Sequence, residues 1–144
     1  MYLVDTDVIS ASAPAKRSQP ALAAWMDRNS PHLYLTAITI AEIEDGIAKA
    51  RRGGASGKAS RLSEWLNALL HLYADRVLPF DVAAARIAGR FSDLARGKGQ
   101  SPGFADTAIA AIAEAHGLMV LTRNLKHFAV FGIPIHDPFQ SLPG

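Results

Sequence analysis

Short apolar runs alternate with longer stretches of helical periodicity, and no tight-turn signal joins two of the runs directly. Tyr2-Leu3-Val4, Leu33-Tyr34-Leu35-Thr36, Arg76-Val77-Leu78 and Met119-Val120-Leu121-Thr122 each read as a short buried strand. Ile133-Pro134-Ile135 is a weaker candidate, suited only to an edge because proline cannot donate to a ladder. Strands that are never joined by hairpins must be joined by crossovers, and helical crossovers cover both faces of a parallel sheet. The expected fold is α/β, with three layers and a mostly parallel central sheet of about four to five strands. No internal repeat, low-complexity tract or long linker divides the chain, so residues 1–144 are expected to form a single domain.

The intervening segments carry their own boundaries. Ala11 to Gln19 is small, polar and Pro-containing, and reads as a loop. Pro20 to Asn29 places Leu22, Trp25 and Met26 on one helical face, with Pro20 suited to a first turn. Ile40, Ile43 and Ile47 form the stripe of a helix opened by Thr39 and stopped at Arg51-Arg52-Gly53-Gly54. Lys58 to Tyr73 repeats the pattern with Leu62, Trp65, Leu66, Leu69 and Tyr73, which makes a helical hairpin. Asp81 reads as the N-cap of a helix through Ala95, with Val82, Ala85, Ala88, Phe91 and Leu94 inward. Gly97 to Gly103 reads as a loop, Phe104 to His116 as a helix ending at Gly117, and Asn124 to Phe128 as a short turn or helix.

Hydrophobic residues make up 49% of the 144 and charged residues 19%, a globular balance that excludes disorder. The chain contains no cysteine, which excludes a disulfide framework, a thiol nucleophile and a thiolate zinc site and fits a reducing cytoplasm. No apolar run reaches the ~18 residues that span a bilayer, and no basic-then-apolar leader precedes the first strand, so neither a membrane anchor nor a signal peptide is expected. A net charge of +2 does not by itself predict a nucleic-acid partner. Lys49, Arg51, Arg52, Lys58 and Arg61 cluster at the helical hairpin, and Arg86, Arg90, Arg96 and Lys98 along or after the Asp81 helix. Most such groups are solvated, and contact with phosphates is the minority reading.

Three carboxylates fall where a parallel sheet collects ligands. Asp5 follows the first strand, Glu42 lies in the first turn expected for its helix, and Asp106 lies near the start of the helix preceding the fourth strand. Each also has a structural reading: Asp5 or Asp7 as an N-cap, Glu42 as the far member of a Thr39-Ile40-Ala41-Glu42 capping box, Asp106 as a partner of its helix dipole. A second carboxylate at Asp7 is surplus to capping, and Asp106 sits among apolar neighbours where an unpaired charge is costly. Carboxylates gathered in one cleft repel by about 4 kcal/mol per pair at ~4 Å, and a divalent metal that removes this repulsion points to phosphate chemistry. Thr122, Arg123 and Asn124 follow the fourth strand, either as a polar turn or as a hydroxyl and an amide that orient a metal-bound water. The five histidines show no ligand spacing. His116 reads as a helix C-terminal group and His127 as exposed or packed beside Phe128, so histidine catalysis is not expected.

Taken together, four segments resemble the PIN-domain ribonucleases, and most of all the VapC toxins of type II toxin–antitoxin pairs. They are Leu3 to Ser10, Ile38 to Ile47 with Glu42 and Gly46 in place, Phe104 to Ala111, and Leu121 to Phe128. The resemblance implies a PIN-like fold and a metal-dependent endoribonuclease with Asp5, Glu42 and Asp106 as ligands of Mg²⁺ or Mn²⁺. Thr122 would help hold the water or a phosphate oxygen. Asn124 stands where some PIN domains carry a fourth acid, and Asp7 where Asn or Ser is more usual. It also implies RNA as substrate (tRNA or rRNA, cut in a single-stranded loop to leave 5′-phosphate and 3′-hydroxyl ends), a cognate antitoxin and a homodimer. The main rival is a phosphatase of the haloacid dehalogenase type, in which Asp5 of Asp5-Thr6-Asp7-Val8 is the nucleophile; no well-placed lysine or later paired-Asp motif supports it. A PIN nuclease that processes RNA without being a toxin, and a non-enzymatic binding module, are the remaining alternatives.

Overall fold

The computed structural model describes residues 1–13 and 19–144, so most of the loop expected over 11–19 lies outside the described residues. Five strands, β1 (Tyr2–Val4), β2 (Leu33–Thr36), β3 (Val77–Leu78), β4 (Met119–Leu121) and β5 (Ile135–His136), form one sheet in the order β3-β2-β1-β4-β5. Every pairing is parallel. Pro134 precedes β5 and contributes only its carbonyl, which accepts from Val120 N–H at 3.0 Å, so the proline sits where the ladder asks nothing of its nitrogen.

Side-chain alternation divides β1 and β4 between two cores. Val4 and Leu121, paired in register, face the cluster built on α1 (Thr6–Ser10), α2 (Pro20–Asn29), α3 (Ala37–Arg52) and α4 (Ser56–Tyr73). Leu3 and Val120, the adjacent pair, face α5 (Val82–Gly97), α6 (Phe104–His116) and α7 (Leu125–Ala129). All four are 0% exposed, which is what a central parallel strand covered by helices on both sides requires.

α6 is buried from Thr107 through Ala113, so it is a helix enclosed on all sides rather than an amphipathic one. Its alanines let α5 approach closely. The inward face of α5 is accordingly Ala84, Ala88 and Ala95 with half-buried Phe91, which stacks on Phe131 at 5.1 Å. This corrects the expected face of Val82, Ala85, Ala88, Phe91 and Leu94: Val82 is 76% exposed and Leu94 40%. The larger residues carried the hydrophobic signal, but an alanine-lined partner accepts only small side chains at its contact.

A second correction concerns α3. Its N-cap is Thr36, whose hydroxyl accepts from Thr39 N–H at 3.1 Å. The helix therefore starts one turn earlier than expected, Glu42 lies in its second turn, and its carboxylate is not part of a capping box. Gly117 ends α6 at φ 64°, the left-handed C-terminal position that glycine fills without strain.

Candidate active site

Sheet order places the switch point between β1 and β4, because the chain runs outward from β1 through β2 and β3 and then returns to the other side of β1. Crevices at such points, beyond the carboxyl ends of the strands, are where open α/β sheets bind ligands. Asp5 and Thr122 stand one residue beyond β1 and β4 there. The Asp5 N–H extends the ladder to the Leu121 carbonyl at 2.9 Å, so the backbone that positions the carboxylate belongs to the sheet. Asp5 Oδ1 accepts from Thr6 N–H at 2.8 Å, and Oδ2 accepts from the Thr122 hydroxyl at 2.8 Å. Asp5 thus caps α1 and also faces the crevice, so its structural and functional readings coexist.

Asp7 turns the same way. Its Oδ2 accepts from Arg123 N–H and from Asn124 Nδ2, both at 3.2 Å, while Oδ1 is buried and has no hydrogen-bond partner among the described residues. The Arg123 guanidinium lies 3.7 Å from the centre of the Phe139 ring, and its charge only partly offsets the burial of Asp7. Burial, followed by the charge of Asp7, pushes the Asp5 pKa up from 3.8 to about 7, with Asp106 adding to the rise and the Thr122 and Thr6 hydrogen bonds opposing it. Burial also raises Asp7, against the contacts from Arg123. The two carboxyls therefore lack sufficient positive charge around them.

Asp106 occupies the first turn of α6, a quarter exposed, and its Oδ2 pairs with His127 Nδ1 at 3.1 Å. Glu42 reaches the site through Thr6, whose hydroxyl donates to Glu42 Oε1 at 2.5 Å and lies 2.9 Å from the Thr39 hydroxyl. Asp5, Asp7, Thr122 and Asn124 are thus joined by direct hydrogen bonds, Asp106 by its field on Asp5, and Glu42 by way of Thr6. Among the described residues, no three acidic or histidine side chains stand close enough to ligate one ion as they are. Sequence reasoning missed Thr6 as the link to Glu42 and His127 as the partner of Asp106. The adjacency of Thr6 to Asp5 was the available signal for the first, while nothing local in the sequence pairs position 127 with position 106.

The donor chemistry fits a hard divalent cation: carboxylate oxygens, a hydroxyl and an amide, with one buried carboxylate oxygen unsatisfied and two carboxyls held above their ordinary range. Glu44 and Asp45 play no part; both are exposed, and Asp45 pairs with Lys49 at 3.2 Å.

The sequence profile of the PIN domain matches residues 2–132. The chain belongs to the PIN domain family. This PIN domain is 38% identical to the VapC ribonuclease Y4jK of Sinorhizobium fredii over 97% of its own length and 99% of that protein. It is 36% identical to toxin FitB of Neisseria gonorrhoeae, again over 97% and 99%. Among solved structures, FitAcB from N. gonorrhoeae superposes with a TM-score of 0.84 at 34% identity, covering 96% of this chain and 99% of that one. The DNA-bound VapBC from Salmonella typhimurium superposes at 0.78 with 26% identity, covering 94% and 96%. Family membership over nearly the whole sheet and both helical layers displaces the phosphatase alternative.

Proposed function

We propose that this PIN domain is the toxin of a VapBC-type toxin–antitoxin pair, a metal-dependent endoribonuclease in which Asp5, Glu42 and Asp106 hold Mg²⁺ or Mn²⁺. The observation that carries the reading is the under-compensated carboxyl cluster at the switch point, where the Asp5 pKa is pushed up to about 7 and an Asp7 oxygen is buried without a partner among the described residues. Charge of that kind, kept at the mouth of a sheet, is an arrangement for binding a cation rather than for stability. The relatives named as a VapC ribonuclease and as toxin FitB support the activity and the role. A bound divalent ion would lower the pKa of a coordinated water and polarise the scissile phosphoryl group.

The chain's own residues do the rest. Thr122 donates to Asp5 Oδ2 and so fixes the carboxylate's rotation while leaving its remaining lone pairs free. Thr122 Oγ1 also accepts from Asn124 N–H at 3.0 Å, which holds the loop after β4 against the site. Asp7 holds the Asn124 amide, and through it the place where a water or phosphate oxygen would sit. Thr6 holds Glu42 at the opposite rim and would release or turn it as a cation binds. His127 orients Asp106. Solved FitAB and VapBC complexes among the structural relatives support a cognate antitoxin as partner, and we place a homodimer beside it as the working assembly.

The test is cleavage of RNA by the purified chain with Mg²⁺ or Mn²⁺, in excess EDTA, and by Asp5→Asn. The reading expects cleavage in the first case only, with 5′-phosphate ends. Undiminished cleavage in EDTA would overturn the metal assignment, and a fully active Asp5→Asn would overturn the site. Mn²⁺ binding measured by calorimetry gives a readout that does not depend on having found the right RNA.

A further inference from the structure

Next to the acidic cleft, α1, α3 and α4 enclose a concavity of about 370 Å³, inside the ~300–1,000 Å³ range of small-ligand sites. Thr6 and Glu42, joined by their hydrogen bond, form the wall it shares with the acidic site. Leu62 and half-buried Trp65 of α4 line another wall. Lys58 stands at the rim, exposed and, among the described residues, with no carboxylate in ion-pair range. Gly46 completes the lining in the middle of α3, where a Cβ would meet nothing within 4 Å. Glycine there costs α3 about 1 kcal/mol relative to alanine, and among the described residues no close packing requires it. Its effect is to keep the concavity open beside Glu42.

We propose that this concavity is a nucleobase subsite, in which a base flanking the scissile phosphate leaves its stack and lies on the Trp65 indole while Lys58 contacts the backbone phosphate. The proposal rests on the ribonuclease reading above. Three features favour single-stranded RNA as the occupant. The concavity is continuous with the acidic site through Glu42, so a strand lying in it can set a neighbouring phosphate at that site. An aromatic wall is the surface on which unpaired bases stack. A cation at the rim offsets the repulsion between an RNA backbone and the carboxylates nearby.

The experiment compares the wild type with Gly46→Leu, which puts a side chain into the space where a Cβ meets nothing within 4 Å, and with Trp65→Ala and Trp65→Phe. Steady-state cleavage of single-stranded oligonucleotides in saturating Mn²⁺ is measured beside equilibrium binding of labelled RNA to each substitution placed on Asp5→Asn, so that binding is read without cleavage. Gly46→Leu and Trp65→Ala should raise KM and Kd by about 5- to 100-fold, the range of one lost base–aromatic stack. In both, kcat should stay within ~3-fold, the mark of lost uniform binding, and Trp65→Phe should recover most of the loss. Preference for the flanking base should flatten in the same variants. Gly46→Leu with unchanged KM, Kd and base preference would overturn the subsite while leaving the ribonuclease intact. Variants that keep RNA affinity but lose affinity for a partner protein would assign the concavity to that protein and overturn it too. A wild type that binds RNA but cleaves none would sink the ribonuclease reading, and the binding data would still decide the subsite.

Discussion

Replacing Asp5 with asparagine should make the metal-free protein more stable at alkaline pH, because asparagine is also a competent N-cap but carries no charge. The folded-state pKa of about 7 lies above the ordinary 3.8, and at 1.36 kcal/mol per unit the ionised carboxylate costs the fold at most about 4 kcal/mol. The sign follows from proton binding. Between pH 3.8 and about 7 the folded state holds a proton that the unfolded state has lost, so wild-type stability falls as pH rises through that window and levels off above it. Asparagine keeps an oxygen for the Thr6 N–H but sets an amide against the Thr122 hydroxyl, at a cost of about 1 kcal/mol. The expected net gain above pH 7.5 is roughly 2–3 kcal/mol, or about 5–10 °C in Tm for a chain of this size. The assay is thermal unfolding of both proteins in EDTA from pH 4 to pH 8.5, repeated with Mn²⁺. The difference should shrink as pH falls and reverse by up to about 1 kcal/mol at the acid end, and Mn²⁺ should stabilise the wild type but not Asp5→Asn. A Tm for Asp5→Asn below that of the wild type at pH 8 in EDTA, or a gap that ignores pH, would refute the reasoning and leave Asp5 a structural cap.

Mn²⁺ binding at pH 7 should release roughly half a proton from Asp5, read as a buffer-dependent calorimetric enthalpy, and should tighten from pH 6 to pH 8; affinity that does not vary with pH would contradict the charge state assigned here. Thr36→Ala should cost about 1–2 kcal/mol in urea unfolding, whereas Thr39→Ala, if Thr39 were the cap, would be the costly one of the pair. Thr6→Val should leave Tm nearly unchanged yet lower cleavage and Mn²⁺ affinity together, because it frees Glu42 without opening the core; loss of neither would remove Thr6 from the site. Val82→Ser should change stability by no more than ~0.5 kcal/mol, since the side chain is 76% exposed.

Strand identity and parallel order were legible because each apolar run is bounded by polar or glycine punctuation and a two-sided sheet needs no alternation. Gly117 and Asp81 marked their helix ends for the same local reasons. The face of α5 was not legible, because it depends on how closely α6 can approach, and that is a property of a segment about twenty residues away in the chain. The start of α3 was misjudged because Thr36 and Thr39 are both competent caps and only the register of β2 decides between them. At the site, Asp5, Asp7, Thr122 and Asn124 could be read from their places after β1 and β4, since neighbouring parallel strands deliver their following residues to one edge. The Thr6–Glu42 and His127–Asp106 contacts could not be read, because each joins elements whose relative rotation the sequence does not state.

Both margins of the sheet are two residues long, β3 on one side and β5 on the other. So brief a run of free backbone donors and acceptors gives an incoming strand almost nothing to grip. Copies of this chain are therefore not expected to join edge to edge through the sheet, and a mutation that lengthened either margin would invite polymerisation of a kind the present sequence discourages.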